Sequence, residues 1–358
     1  MEKTEVLLKN PVRHNRPLLD CLNGFAGDKI PFWFMRQAGR YLPEYRAIRQ
    51  KEKNFIQLCL NPDLASEITL QPIRRFDMDG AILFSDILIV PHVLGQRVDF
   101  IESLGPRLEP IRSLQDLQRL NLDRLADGFN PIYQTVKQTC EGLANSKTMI
   151  GFCGGIWTVA SYMIEGQSSK NYETIKRLCY LDSPFITALF TILIEASYHY
   201  LCGQIKAGCQ VIQIFESWAG QMDDHNFKNY ILKPTEILIN RLKSSHPEIP
   251  IIWFPKNASE SYLHSGLKLN IQAIGLDSTV NQATSRQLQK DYVVQGYLDP
   301  IYLLIDAKTI ESATRRIIEP LRLDSKNNSR YIFNLGHGIL PNSPVENVEF
   351  LVNLLKKL

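Results

Sequence analysis

The feature that most constrains this chain is a recurrence: short apolar runs, each followed by a loop and then by apolar residues at helical spacing. The runs are Pro31–Met35, Ala81–Phe84, Thr148–Phe152, Gln210–Phe215, Ile249–Phe254, Ala273–Gly275, Tyr292–Gln295 and Tyr331–Leu335. Several have consecutive apolar residues instead of the alternation expected of a strand with one wet face. Such runs are what parallel strands show when both faces are covered. Helical patterns fall at Pro62–Arg75, Leu125–Glu141, Asn171–Ala207, Asn229–Ser245, Ser285–Gln289 and Asp306–Glu319. Eight strand–helix units in 358 residues predict an α/β fold, a (β/α)8 TIM-type barrel, in preference to an open doubly wound sheet. No GxGxxG follows the first run and no GxxxxGK(S/T) loop occurs, which removes the usual signs of the open-sheet alternative. The long interval from Phe84 to Thr148 leaves room for a small hairpin around Val98–Ile101. No compositional shift marks a second domain, so residues 1–358 are read as a single domain with a short irregular N-terminal extension.

Composition excludes several classes of function. A net charge of +3, from 40 basic and 37 acidic residues, is too mild to imply nucleic acid, although local basic clusters can still bind an acidic ligand. The seven cysteines are odd in number and irregularly spaced, without a CxxC, which fits reduced intracellular thiols better than a disulfide framework. HExxH and His-x-Cys patterns are absent, so no metal site is expected. The N-terminal segment lacks a signal-peptide apolar region, and no apolar run approaches the roughly 20 residues needed to span a bilayer. A cytoplasmic protein with no membrane insertion is the expectation.

In a barrel, residues just past the C-terminal ends of the strands converge on one pocket. The segment MRQAGRYLPEYRAIRQ after the first run carries Arg36, Arg40, Arg46 and Arg49. Arg36 and Arg40 are four apart and would share a face of a helix, offering forked donors for carboxylates, though a solvated basic surface has the same composition. Asp86 in FSDILIVP is a helix cap, a buried structural partner or a catalytic carboxylate. Gly154 and Gly155 in GFCGGIWT would let backbone approach a ligand closely, and Tyr162 would follow within a helix. Glu216 and Ser217 in FESWAG fall near the rim, Ser217 as a hydrogen-bond donor and not as a nucleophile. His337 lies between two glycines in NLGHGILP, where it either stabilises a turn or titrates near neutral pH and donates to an acidic substrate.

Taken together, MRQAGRYLPEYR, LFSDIL, GFCGG–WT, ESWAG and NLGHG, in this order and spacing from about Pro31 to the C-terminus, resemble the uroporphyrinogen decarboxylase family. The resemblance implies a (β/α)8 enzyme, a homodimer, which converts uroporphyrinogen III to coproporphyrinogen III by four decarboxylations with neither metal nor organic cofactor. It implies that Arg36 and Arg40 bind substrate and act in catalysis. It assigns Asp86 to the central pyrrole N–H groups, and Tyr162, Ser217 and His337 to the cleft. Arg46 and Arg49 are expected to give electrostatic support. The chain departs from the family pattern at Ile156, Ser278 and Tyr297, and at PKNAS (Pro255–Ser259) in place of a glycine-rich segment, which bears on loop geometry and substrate fit. Competing expectations are a noncatalytic porphyrinogen-binding protein and a related barrel methyltransferase, the latter disfavoured by the missing zinc-ligand pattern.

Overall fold

The computed structural model describes residues 13–25, 27, 29–101, 104–322 and 330–358. Strands β1 (Gly80–Ile82), β4 (Thr148–Gly154), β5 (Val211–Glu216), β6 (Ile251–Pro255), β7 (Ala273–Gly275), β8 (Val293–Gln295) and β9 (Tyr331–Ile332) form one parallel sheet in that spatial order. Between β1 and β4, β2 (Val98–Ile101) and β3 (Gly105–Leu108) pair antiparallel as the expected hairpin.

The sheet curls because its two faces bury different sets of side chains. In β6, Ile252 and Phe254 point into a core inside the curl with Trp33, Ile150, Val211, Val293 and Ile332, while Ile251 and Trp253 point out under the helices. Alternation thus exists in these strands, but both sides are apolar, and the runs therefore read as continuous. Two glutamines complete the inner face. Trp33 Nε1 donates to Gln295 Oε1 at 2.9 Å, and Gln295 Nε2 donates to Gln213 Oε1 at 3.1 Å. The segment expected to be irregular before Pro31 contributes a helix, Pro17–Leu22, whose Leu18 and Leu19 belong to the inner core. Residues 1–12 of that extension lie outside the described residues.

The expected closed barrel of eight strands is not what forms. Where an eighth strand would lie between β9 and β1, Pro31–Met35 makes a single parallel bridge, Phe32 to Phe333. On its other side the Phe32 carbonyl accepts from the Asp79 N–H at 3.0 Å, but the Phe32 N–H turns to the Asp79 carboxylate, also at 3.0 Å. A side chain does the work of a ladder bond, and the molecule is a curled seven-stranded sheet, a distorted and open barrel wrapped by helices.

Two helical expectations also change. The pattern over Asn171–Ala207 splits into Glu173–Tyr180 and Pro184–Ala207, because Asp182 takes a left-handed conformation (φ 46°) and Pro184 has no N–H with which to continue the first helix. The pattern over Asn229–Ser245 opens with a wide π turn, Lys228–Leu232, ahead of the Lys233–Ser245 helix. Pro234 at that junction removes a regular backbone donor. The 24-residue Pro184–Ala207 helix is long and apolar enough to cross a bilayer, contrary to the sequence reading, but most of it is buried against the Leu125–Gly142, Lys233–Ser245 and Ile156–Glu165 helices. Burial of that kind marks a core helix. All seven cysteines lie among the described residues, and all but Cys140 are buried.

The seam at Phe32 gives a direct test. Asp79→Ala leaves a buried N–H without an acceptor, which should lower the unfolding free energy by about 1–3 kcal/mol in urea titrations. Asp79→Asn, which keeps an acceptor oxygen, should recover most of the loss. An unchanged midpoint in the alanine variant would show that the seam does not depend on this bond.

Candidate active site

The C-terminal ends of the strands supply the candidate residues. Arg36 follows the bridge at Phe32, Asp86 follows β1, Ser217 and Trp218 follow β5, and Lys256 follows β6. Asp277 lies just past β7, and His337 past β9. Tyr162 is on the Ile156–Glu165 helix that leaves β4.

Arg36 does not sit on a helix. Residues 36–41 form turns, the next helix begins at Pro43, and Arg36 itself adopts φ 57°. The shared helical face expected for Arg36 and Arg40 is therefore absent. Neighbouring bonds hold the turn. The Met35 N–H donates to Asn334 Oδ1 at 3.0 Å, the Ile339 N–H donates to the Met35 carbonyl at 2.9 Å, and Gln37 Nε2 donates to the Gly80 carbonyl at 3.0 Å. The Arg36 stem then lies on Gly338, where a Cβ would come within 2.3 Å of Arg36 Cδ. That contact explains the second glycine of GHG. Arg40 is exposed on the same turn, and its charge acts on Tyr45. Arg46 Nη1 donates to the carbonyls of Arg40 and Tyr41, both at 2.9 Å, and Arg49 packs over Phe55, so these two arginines brace the turn and the following helices.

Asp86 is not the cap of the following helix, whose N-cap is Leu88 with no side-chain cap bond, but it does brace the backbone there. Its Oδ1 accepts the Leu88 N–H at 2.8 Å at the start of the Ile89–Leu94 helix. Burial pushes its carboxyl above the usual range, opposed by the Leu88 bond and the Arg36 charge. Among the described residues it forms no ion pair, which leaves Oδ2 open. Tyr162 is close enough to feel both charges: burial and Asp86 push its phenol up to about 12 against the pull of Arg36. Its ring stands 6.0 Å from that of Trp218, which is 5.4 Å from Tyr172, making an aromatic wall.

Ser217 is half-buried beside this wall and makes no hydrogen bond among the described residues. Its neighbours are fixed by Glu216, which is fully buried and accepts the Thr158 N–H at 2.7 Å and the Thr158 hydroxyl. Thr158 Oγ1 accepts in turn from the Trp218 N–H at 3.2 Å. Burial raises the Glu216 carboxyl to about 7 against these donors. Gly155 is needed here, since a Cβ would fall 2.0 Å from Glu216 Oε2. The glycine pair therefore makes room for a protein carboxylate, and for Ile87 at Gly154, in place of the ligand expected from sequence.

Of its two expected roles, His337 holds the turn through Nδ1 and does not titrate near neutrality. Burial, then Arg36 and Lys256, push its imidazole down to about 4 despite Asp277. It is neutral at neutral pH. Its Nδ1 accepts the Gly338 N–H at 2.7 Å, so the ring proton is on Nε2, which can still donate to a ligand. Sequence reasoning passed over Lys256 and Asp277 in this group. Both obey the strand-end rule that selected the others. A hollow of about 560 Å³ bounded by Tyr180, His225, Asn229, Tyr230 and Lys233 contains none of the candidate residues. Among the described residues no group of three or more His, Cys, Asp or Glu could hold a metal ion.

Comparison with known proteins decides the family. Residues 13–358 match uroporphyrinogen decarboxylase (URO-D). The chain belongs to the uroporphyrinogen decarboxylase family. A relative of that name from Mesorhizobium japonicum is 41% identical over 342 residues, covering 96% of this chain and 98% of the relative. Another from Rhizorhabdus wittichii is 42% identical, covering 94% of this chain and 96% of its own. Among solved structures, a methyltransferase from Methanosarcina mazei superposes with a TM-score of 0.72 at 16% identity, covering 97% of this chain and 99% of its own, which is a likeness of fold alone. The departures from the family pattern are accommodated locally. Ile156 is buried at the first turn of its helix, Ser278 is exposed, and Tyr297 is buried with its hydroxyl 3.3 Å from Ser285 Oγ.

A neutral His337 has a measurable signature. With the folded value below the ordinary one, the unfolded chain takes up the proton first, so stability is lost as pH falls from about 6.5 towards about 4. NMR of the labelled imidazole should show a neutral Nε2–H form from about pH 8 down to about pH 5. A ring that titrates near 6.5 would contradict the placement of Arg36 and Lys256 around it.

Proposed function

We propose that this chain removes carbon dioxide from the four acetate side chains of uroporphyrinogen III, giving coproporphyrinogen III, with Asp86 as the central residue. The observation that carries the reading is a half-buried carboxyl that, among the described residues, forms no ion pair and yet feels the charge of Arg36, in a member of this family. The substrate has pyrrole N–H donors at its centre and carboxylates at its rim. One inner acceptor and outer cations are its complement.

The chemistry needs an electron sink for the bond to carbon dioxide. Protonation of the pyrrole carbon beside the acetate arm gives an iminium-like ring. Cleavage of the carbon–carbon bond then sends its electron pair into that ring, carbon dioxide leaves, and an exocyclic methylene remains. A proton added to the methylene gives the methyl group, and loss of the first proton restores the pyrrole. The substrate supplies the sink that a cofactor supplies elsewhere. Asp86 accepts the pyrrole N–H groups and favours the positive charge that develops on the ring, a charge it meets in a partly dehydrated site. Arg36 and Arg40 meet rim carboxylates. Tyr162 and Trp218 provide an aromatic wall, and Ser217 and the Nε2–H of His337 provide neutral donors. The proposal keeps one domain on the plan of a (β/α)8 barrel with an irregular first strand, working as a cytoplasmic homodimer.

Asp86→Asn separates function from stability. The amide oxygen can still accept the Leu88 N–H, and the buried charge is gone, so the variant should be at least as stable as the parent above the ordinary carboxylate range. Decarboxylation of uroporphyrinogen III under anaerobic conditions, followed by chromatography of the oxidised products, should slow by at least about a hundredfold at every step. Near-parental rates in a folded variant would remove Asp86 from the chemistry. A parent protein that binds uroporphyrinogen without releasing carbon dioxide would replace the enzyme reading with a carrier.

A further inference from the structure

Among the described residues, both buried lysines have their charge answered. Lys147 Nζ pairs with the Asp77 carboxylate at 2.6 Å and donates to the Asp77 carbonyl at 2.8 Å. Lys243 Nζ donates to the Ile249 carbonyl at 2.6 Å and to Gln272 Oε1 at 3.0 Å. Lys256 differs. It is half-buried at the C-terminal end of β6, yet among the described residues its ammonium has neither a hydrogen bond nor an ion pair. Nor is its nitrogen sealed among the fully buried polar atoms that lack a partner.

The main chain around it is pinned. The Lys256 N–H donates to the Glu216 carbonyl at 3.2 Å, and its carbonyl accepts the Gly220 N–H at 3.0 Å. The next residue, Asn257, holds a left-handed conformation (φ 59°) and gives its N–H to Asp277 Oδ2 at 2.6 Å. Asparagine tolerates that conformation, which is how PKNAS replaces a glycine-rich segment. The carboxylate that acts most on Lys256 is Asp277, and it is already engaged by the N–H groups of Asn257 and Thr279 and by the Thr279 hydroxyl. Arg36 lies close enough to repel Lys256, and both charges bear on His337. Two like charges, one half-buried and neither paired, are costly without an anion between or beside them.

We propose that Lys256 is a further substrate-binding residue, its ammonium holding one carboxylate of the tetrapyrrole beside the carboxylate held by Arg36. The inference rests on the decarboxylase reading for the identity of the ligand and on the position of Lys256 for the contact. The ammonium is a point charge on a flexible stem, so it can follow a carboxylate whose position shifts as neighbouring arms are trimmed.

The test compares the full chain with Lys256→Gln and Lys256→Arg. Fluorescence titration with uroporphyrin III, the oxidised octacarboxylate, reads binding without turnover, and steady-state assays with uroporphyrinogen III read KM and kcat. Lys256→Gln should weaken uroporphyrin binding and raise KM by about tenfold or more, with kcat changed by less than about threefold. Lys256→Arg should recover most of the affinity, and the affinity of the glutamine variant should depend less steeply on salt. Unchanged affinity and KM in a folded Lys256→Gln protein would overturn the proposal. If that variant does not fold, Lys256→Met, which keeps the aliphatic stem and drops the charge, is read by the same two criteria. Loss of affinity in Lys256→Gln, with a parent protein that releases no carbon dioxide, would remove the decarboxylase reading and leave the Lys256 contact standing.

Discussion

The Arg36 charge reaches the Asp86 carboxyl with no ion pair between them, and the surrounding structure holds each group by other contacts. A closed pair would quench both charges before a ligand arrived. Here the Leu88 N–H takes one oxygen of Asp86, and the Arg36 stem is held on Gly338. Each group thus reaches the site already oriented, with its remaining hydrogen-bonding capacity unspent. Burial raises the cost of the Asp86 charge, which is the expense of a carboxylate that answers donors and positive charge on a ligand strongly. Reorganisation is done during folding and not during reaction.

That orientation depends on the irregular seam of the sheet. A regular strand at Pro31–Met35 would carry Arg36 onward in extended conformation. Instead a single bridge at Phe32, the turn of Asp79 towards its N–H, and the bonds from Asn334 and Ile339 at Met35 turn the chain sharply, and Arg36 takes its left-handed conformation. On the opposite side Glu216, Thr158 and Trp218 tie the end of β5 to the helix bearing Tyr162. Each half of the site is held by side-chain hydrogen bonds at strand ends, where the ladder has run out.

Much of this was legible in the sequence and some was not. Seven of the eight expected strands form because their inner and outer faces are both apolar, as Ile252 and Trp253 show. The eighth fails because Asp79 offers Phe32 a side-chain acceptor, and residue patterns of apolar runs carry no trace of that competition. Asp86 and His337 follow strand ends and Tyr162 lies on the helix after β4, and all three share a neighbourhood with Arg36. Arg40 was linked to Arg36 through helical spacing, and a turn at those residues breaks the link. Lys256 stands in PKNAS, where the visible departure in sequence is the loss of glycines, and its charge gains meaning only from its place after β6. For His337 the sequence leaves a turn-holding and a near-neutral titrating role open, because it does not reveal the two cations whose charge bears on the ring.

The most direct measurement is a structure of the protein with coproporphyrinogen III bound. It should place pyrrole nitrogens within about 3.2 Å of the Asp86 carboxylate, with rim carboxylates turned towards Arg36. A macrocycle whose nitrogens face away from Asp86, or one seated outside the C-terminal ends of the strands, would contradict the account.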